Sequence, residues 1–472
     1  MKQFFVIGMA SLVVQAFALT VQDAEARLQM AMQLAREHND SERVAQIQVL
    51  GDRLKNGLTE DAESKIRVIE KAVGIDPGGW FMAGLPLAKP TPEMLARSKE
   101  WAQRLHEAML TDDAARVHAV TTEILDGMGD QAGVPDGRPR GVFPQETSVT
   151  QAESTTLFLN ALKSEARAVR QLSEGKPLPD QMLRIYGYLL TGLAEMRPWI
   201  AKYESDSLAD VDALAAGCAK IMISLQQPTG YFPFPDLRGK NIRFGEMIER
   251  QVQAGQVVVK DGWVITEDSN GGSQFDTGIC GVALLRAGEA FGKESWLAAG
   301  KKAADWALQE NCCGNFNYNA FSVSLLAHQF RLSRDERYLQ GALKKVRVGI
   351  APGLAPNGRW LDSHNARTVY HVIILRALGD LASVMPDPFE LNAIALPAIK
   401  ALLDEFDIMG ITVEALPELV TLQKIYPDNE RLKKATARMA SFLIQKCSQG
   451  ARAKMAVQPH QLAAVAGSNL SR

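Results

Sequence analysis

The stretch that decides the fold is Ala351 to Asp380, APGLAPNGRWLDSHNARTVYHVIILRALGD. It opens as a loop punctuated by Gly and Pro, and that loop gathers Arg359, Trp360, Asp362, His364 and Asn365. From about residue 366 it becomes a helical pattern that is apolar or small on nearly every side, with Arg367, Tyr370 and His371 in the first turns. A helix that is apolar all round belongs in an interior. The junction therefore reads as a polar loop feeding a buried helix, and as one wall of a cleft.

The pattern recurs. Gly230-Tyr231-Phe232, Gly314-Asn315-Phe316 and Gly358-Arg359-Trp360 each follow one helical stretch and precede another. The last two glycines are 44 residues apart, a spacing suited to one helical hairpin, and the first two are 84 apart, one such period plus an insertion. The helices expected just after the loops, 276–291, 320–332 and 366–384, are apolar throughout. Their partners, 295–310 and 336–348, have a polar face carrying Lys301, Lys302, Lys344 and Lys345. Buried and half-buried helices alternating at a fixed period describe two concentric rings, an all-α (α/α) toroid, with an open superhelical solenoid as the alternative.

Periodicity predicts further helices at 151–173, 180–196, 207–227, 392–406, 412–425 and 428–447. The chain then divides into an N-terminal helical region over 27–126, a Gly/Pro-rich linker over 127–149, the toroid over 150–447 and a flexible tail over 448–472. Within the insertion 240–275, QVVVKDGWVIT reads as a small β-hairpin turning at Asp261-Gly262, residue types that accept positive φ.

Composition narrows the class. Of 472 residues, 46% are hydrophobic and 22% charged, and the formal net charge is −2, the profile of a globular protein with ample core. Lys and Arg are scattered, so no electrostatic footprint for nucleic acid is expected. Lys2 followed by the apolar run Phe4 to Leu19 has the form of a signal peptide and is too short to span a membrane. Ala16-Phe17-Ala18 and Ala24-Glu25-Ala26 both fit a cleavage site, so 1–26 is expected to direct export to the periplasm or the medium. Five cysteines are too few for a disulfide scaffold; Cys280 can pair with Cys312 or Cys313, or all can be small core residues. No metal-ligand spacing, phosphate loop or dinucleotide glycine pattern occurs, so no metal or cofactor is expected.

The repeated helix, Gly-aromatic loop and buried helix resemble the (α/α)-toroid carbohydrate-active enzymes, namely the six-hairpin glycosidases and the toroidal polysaccharide lyases. The resemblance covers roughly residues 90–447 and rests on architecture. It implies a sugar-binding cleft at the end of the ring where the buried helices begin, with a polysaccharide or oligosaccharide as partner. On that face Tyr231, Phe232 and Trp360 are expected to stack on sugar rings, and Asp236, Arg238, Asn317 and Arg359 to bond hydroxyls. The bland alternative is that the loop aromatics plug the ring.

For a lyase acting on a uronate by β-elimination, the resemblance implies Asn365 or Arg367 as carboxylate neutraliser, His364 or His371 as base, and Tyr370 or Tyr318 as acid. For a glycoside hydrolase, two carboxyl groups are required, and Asp276, Asp362 and Asp236 are the candidates. Asp276 can equally be a helix N-cap. A toroid that binds a glycan or protein without catalysis is the third reading. The lyase is the first expectation.

Overall fold

A computed structural model describes residues 40–54, 92–129, 132–134, 150–240, 242–266, 271–410, 415–448 and 458–467, together with 24, 25, 28, 29, 31, 32, 35, 36, 65, 66 and 69. The expected leader lies outside the described residues, apart from Ala24 and Glu25, as do 130–131 and 135–149 of the expected linker.

Two hairpin-like helices come before the main body, α2 (Pro92–Met109) and α3 (Ala114–Met128), after the isolated α1 (Ser41–Leu54). Asp113 caps α3 by accepting from the backbone N–H groups of Ala115 and Arg116. Around α1, Leu28, Ile47, Leu50, Ile66 and Ile69 form a small apolar cluster of their own.

The main body then alternates. Outer helices are α4 (Gln151–Ser164) with α5 (Ala166–Ser173), α7 (Leu208–Leu225), α10 (Glu294–Gln309), α12 (Glu336–Gly349), α15 (Phe389–Met409) and α17 (Glu430–Ser448). Inner helices are α6 (Leu183–Tyr203), α9 (Ser273–Phe291), α11 (Phe316–Ser333), α14 (Thr368–Ala382), α16 (Leu416–Ile425) and α18 (Gln458–Gly467). Each inner helix packs on the next, α6 on α9, α9 on α11, α11 on α14, α14 on α16 and α16 on α18, and α18 packs back on α6. The ring closes. That contact separates the toroid from the open solenoid, which has no such return.

Small residues let the inner helices approach. A Cβ on Gly278 of α9 would lie 2.7 Å from the backbone oxygen of Phe321 on α11, so only glycine fits that crossing. Sharp turns separate the pairs: Gly292 ends α9 in the left-handed conformation, φ 63 and ψ 42, where a side chain is disfavoured. Asp335 then begins α12 by accepting from the Arg337 N–H.

The insertion holds the expected hairpin, β2 (Val259–Lys260) and β3 (Trp263–Val264), turning through Asp261 (φ 51) and Gly262 (φ 82). Two features were not foreseen. The strand β1 (Phe234–Pro235) adds to β3, giving an antiparallel sheet in the order β1-β3-β2, and a helix, α8 (Ile242–Gln253), precedes the hairpin.

The tail expected to be flexible after Ser448 contains α18, whose Leu462 and Val465 are buried between α6, α4 and α16. Its small side chains are what a crowded inner helix needs. Cys218, Cys280, Cys312 and Cys313 are buried thiols outside any disulfide, so the Cys280 pairing is not formed. No described helix is long and apolar enough to cross a membrane.

Candidate active site

The N-terminal ends of α6, α9, α11 and α14 are laced together at one end of the ring. Arg184 on α6 grips Asp276 on α9 with two parallel bonds, Nε to Oδ1 at 2.8 Å and Nη2 to Oδ2 at 2.7 Å. The same guanidinium lies over the Phe275 ring at 3.7 Å, and Phe275 stacks on Phe321 of α11 with centroids 4.2 Å apart. Tyr318 approaches the other side of Phe275 at 6.2 Å. His364 and Tyr370 stack on each other with centroids 4.0 Å apart. These rings are half-buried, apart from the more deeply buried Phe321.

Several residues expected to meet a ligand are instead fasteners. Asp362 caps a short helix, α13 (Ser363–Ala366), and accepts from the Asn365 side chain at 2.9 Å. Asn365 in turn accepts from the backbone and side chain of Asn317, at 3.0 and 2.8 Å. That chain ties the start of α11 to α13, and all three side chains are buried.

Arg359 is 0% exposed and ion-paired with Glu405 of α15, which also accepts from Thr368. Trp360, also 0% exposed, donates its indole N–H to the Ile350 carbonyl and meets the His371 ring edge-on at 5.1 Å. His371 itself is 0% exposed and bonds the Ala398 carbonyl through Nε2 at 2.8 Å. Burial holds its pKa well below the ordinary value, helped by the nearby Arg359 charge. The imidazole points toward α15, away from the axis, so the assignment of His371 as base is corrected to a core role.

The repeated aromatics resolve the same way. Phe232, Phe316 and Trp360 are all buried beneath their loops, and Tyr231 donates its hydroxyl to the Ile265 carbonyl in the insertion. They plug the space between the rings, which corrects the expectation that Tyr231, Phe232 and Trp360 stack on sugar. Asp236 and Arg238 pair with each other within their loop at 2.9 Å, and that pairing holds the Asp236 carboxyl below its usual range. Arg367 is half-buried at the N-terminus of α14.

The cavity lies deeper, on the ring axis. It is small, about 50 Å³ or room for several water molecules, and part of it is open to solvent. Its wall takes Tyr188 from α6, Ile279 from α9, Phe321 and Ser324 from α11, Arg376 from α14 and Glu418 from α16. Arg376 Nη1 stands 3.4 Å from Glu418 Oε1 and its Nε 3.8 Å from Asp380.

Burial pushes the Glu418 carboxyl up from its ordinary value, with Arg376 pulling the other way. Burial likewise raises the Tyr188 phenol, so it remains a neutral hydroxyl. A carboxyl raised in this way holds its proton more tightly than an exposed one, the direction a general acid needs.

Sequence reading missed Tyr188, Arg376 and Glu418. A signal for one of them was present. Arg376 interrupts an otherwise apolar helix and stands four residues before Asp380, which puts both on one face. A charge inside an all-apolar helix faces either a partner or a cavity, and only the neighbouring helices say which. Glu418 has the form of an ordinary acidic residue in a first helical turn.

Among the described residues no group of three or more His, Cys, Asp and Glu is placed to hold a metal ion. No family model matches the chain, and no curated protein matches it in sequence. Among solved structures, cellobiose 2-epimerase from Spirochaeta thermophila DSM 6192 is similar with a TM-score of 0.39 and 10% identity, over 69% of this chain and 85% of that one.

Proposed function

We propose that the protein is a carbohydrate-active enzyme that works in the axial cavity, with Glu418 as its proton donor and glycoside hydrolysis as its reaction. The observation that carries this reading is the Glu418 carboxyl, raised by burial on the wall of a cavity that Tyr188 and Phe321 also line. The rings of Tyr188 and Phe321 offer apolar contact to the C–H faces of a sugar, and the Tyr188 and Ser324 hydroxyls offer hydrogen bonds. Asp276, held by Arg184 at the mouth, is the second carboxyl group in this scheme, positioned by its bidentate pair.

Charge favours hydrolysis over β-elimination. A lyase needs a cation or amide free to neutralise a uronate carboxylate. Here Arg184, Arg286 and Arg376 already pair with Asp276, Glu195 and the Glu418–Asp380 couple. Asn365 is committed to Asp362 and Asn317. A neutral saccharide meets no unpaired charge there, whereas a uronate would meet carboxylates.

The test is a panel of neutral and acidic polysaccharides with the wild type and Glu418→Gln. New reducing ends without unsaturation, lost by about 100-fold or more in Glu418→Gln at unchanged Tm, support the proposal. Unsaturated ends would favour the lyase, and saturable binding without products would favour a binding module. Export is part of the same proposal, because Lys2 and the run Phe4 to Leu19 have signal-peptide form. N-terminal sequencing of the mature protein checks it.

A further inference from the structure

Arg376 serves two carboxyl groups at once. Its Nη1 stands 3.4 Å from Glu418 Oε1 on α16, and its Nε stands 3.8 Å from Asp380 Oδ2, one turn further along α14. Neither contact is the fork that a guanidinium makes when it has one carboxylate to itself. Arg184 shows that fork in the same ring, with two bonds of 2.8 and 2.7 Å to Asp276. The side chains of Arg376, Glu418 and Asp380 are only 15%, 14% and 10% exposed, so water screens their charges little.

Asp380 is fixed from the other side. It accepts a hydrogen bond from Ser324 of α11, and His328 Nε2 of the same helix lies 3.8 Å away. Burial lowers the His328 pKa to about 4, so near neutral pH that imidazole brings no charge. Tyr188 and Glu195 of α6 and Arg286 of α9 also face the couple, with Arg331 of α11 beyond His328. Arg286 pairs with Glu195 and Arg331 with Glu289, so both of those guanidinium groups are already balanced. Behind α14 and α16, Glu405 of α15 pairs with Arg359, and Arg431 and Arg438 of α17 pair with Asp404 and Asp407 of α15. Two carboxyl groups thus share the Arg376 guanidinium, and the couple balances its charge when one of them holds a proton.

We infer that Asp380 is a positioning residue for the acid: it draws Arg376 along α14, keeps the guanidinium from closing as a fork on Glu418, and leaves Glu418 able to hold the proton it donates. The inference rests on the hydrolytic reading of the same cavity and adds the residue that readies its acid. Asp380 is not among the residues that line the cavity, so it acts through Arg376 and not by touching a ligand. Desolvation raises the Glu418 carboxyl, Arg376 lowers it and Asp380 raises it, the directions such a division of charge requires. Without the Asp380 charge the guanidinium is no longer divided, and a forked bond to Glu418 would hold that carboxyl ionised.

The experiment is a pH titration of the Glu418 carboxyl in the full-length protein, followed by carbon NMR with isotope-labelled glutamate and assigned by the signal lost in Glu418→Gln. Asp380→Asn keeps the size of the side chain and can still bond Ser324. Asp380→Ser removes the charge in a smaller side chain, so a folding failure in one variant leaves the other. In both, Glu418 is expected to titrate about one pH unit lower than in the wild type. The basic limb of kcat/KM, on a polysaccharide that the wild type cleaves, is expected to move down by the same amount. In an Arg376→Met background the same substitutions should shift Glu418 less than about half as far, because no guanidinium is released. A Glu418 titration unmoved or raised in the single variants, or lowered equally in the Arg376→Met background, overturns the inference and leaves hydrolysis standing. A lowered titration that the pH limb does not follow, or that accompanies no cleavage of any polysaccharide, supports the positioning of Arg376 and overturns Glu418 as the acid.

Discussion

Arg376 Nη1 lies 3.4 Å from Glu418 Oε1, an ion pair between two inner helices on the wall of the axial cavity. The pair works against burial: desolvation raises the Glu418 carboxyl and the guanidinium lowers it. Replacing Arg376 with Met removes only the lowering influence, so the carboxyl rises further. A general acid is active while protonated, so the basic limb of the pH profile of kcat/KM should move to higher pH in Arg376→Met. An unmoved limb would exclude Glu418 as the acid.

His328 makes stability depend on pH. Burial lowers its pKa to about 4, against an ordinary value near 6.5 in the unfolded chain. The unfolded state therefore binds the proton first, and stability falls as pH drops from about 6.5 and stops falling below about 4. Between pH 7 and pH 5 this residue alone should cost about 2 kcal/mol. In His328→Gln that share of the loss should vanish, as urea unfolding at the two pH values will show.

Arg359 and Glu405 form a fully buried pair between the loop and α15, with side chains 0% and 1% exposed. Arg359 Nη2 also donates to the Ala401 carbonyl at 3.2 Å. Arg359→Met strands a carboxylate in the interior and should cost about 3–5 kcal/mol. The double variant Arg359→Met with Glu405→Leu should recover much of that loss in the same unfolding experiment.

Gly278→Ala tests the closeness of the inner ring. The added methyl would stand 2.6 Å from the Phe321 Cβ and 2.7 Å from its backbone oxygen. Neither can yield without moving α11, so about 1–3 kcal/mol of stability should be lost. Phe321 lines the cavity, so ligand affinity should fall as well, read by calorimetric titration.

Removing residues 449–472 tests whether α18 completes the ring. Leu462 and Val465 are buried there, worth about 1.5–3 kcal/mol each by transfer. The truncated chain should show a markedly lower Tm and bind a dye for exposed apolar surface. A Tm equal to that of the full chain would mean that the inner ring stands with five helices.

The candidate site was only partly legible. His364, Tyr370, Tyr318 and Asp276 stand at helix starts, where sequence already places them beside a loop, and their partners lie at the starts of helices too. Asp362, Asn365 and Asn317 are equally polar and stand equally close to helix starts, yet they spend their hydrogen bonds on one another. Residue type and spacing are the same in both groups. What differs is the direction each side chain faces once the helices are wound around an axis.

By itself the sequence determined the helices, their alternation of buried and half-buried faces, the hairpin turn at Asp261-Gly262 and the period that calls for concentric layers. Those are local properties, set by side-chain periodicity and by backbone preferences over a few residues. Tertiary structure alone decided that the ring closes through α18, that Phe232, Phe316 and Trp360 plug it, and that Arg376 meets Glu418 from 42 positions away in the chain. An axial cavity belongs to no single helix. It exists only where several inner faces converge, and the chemistry of that convergence depends on rotations that no one segment encodes.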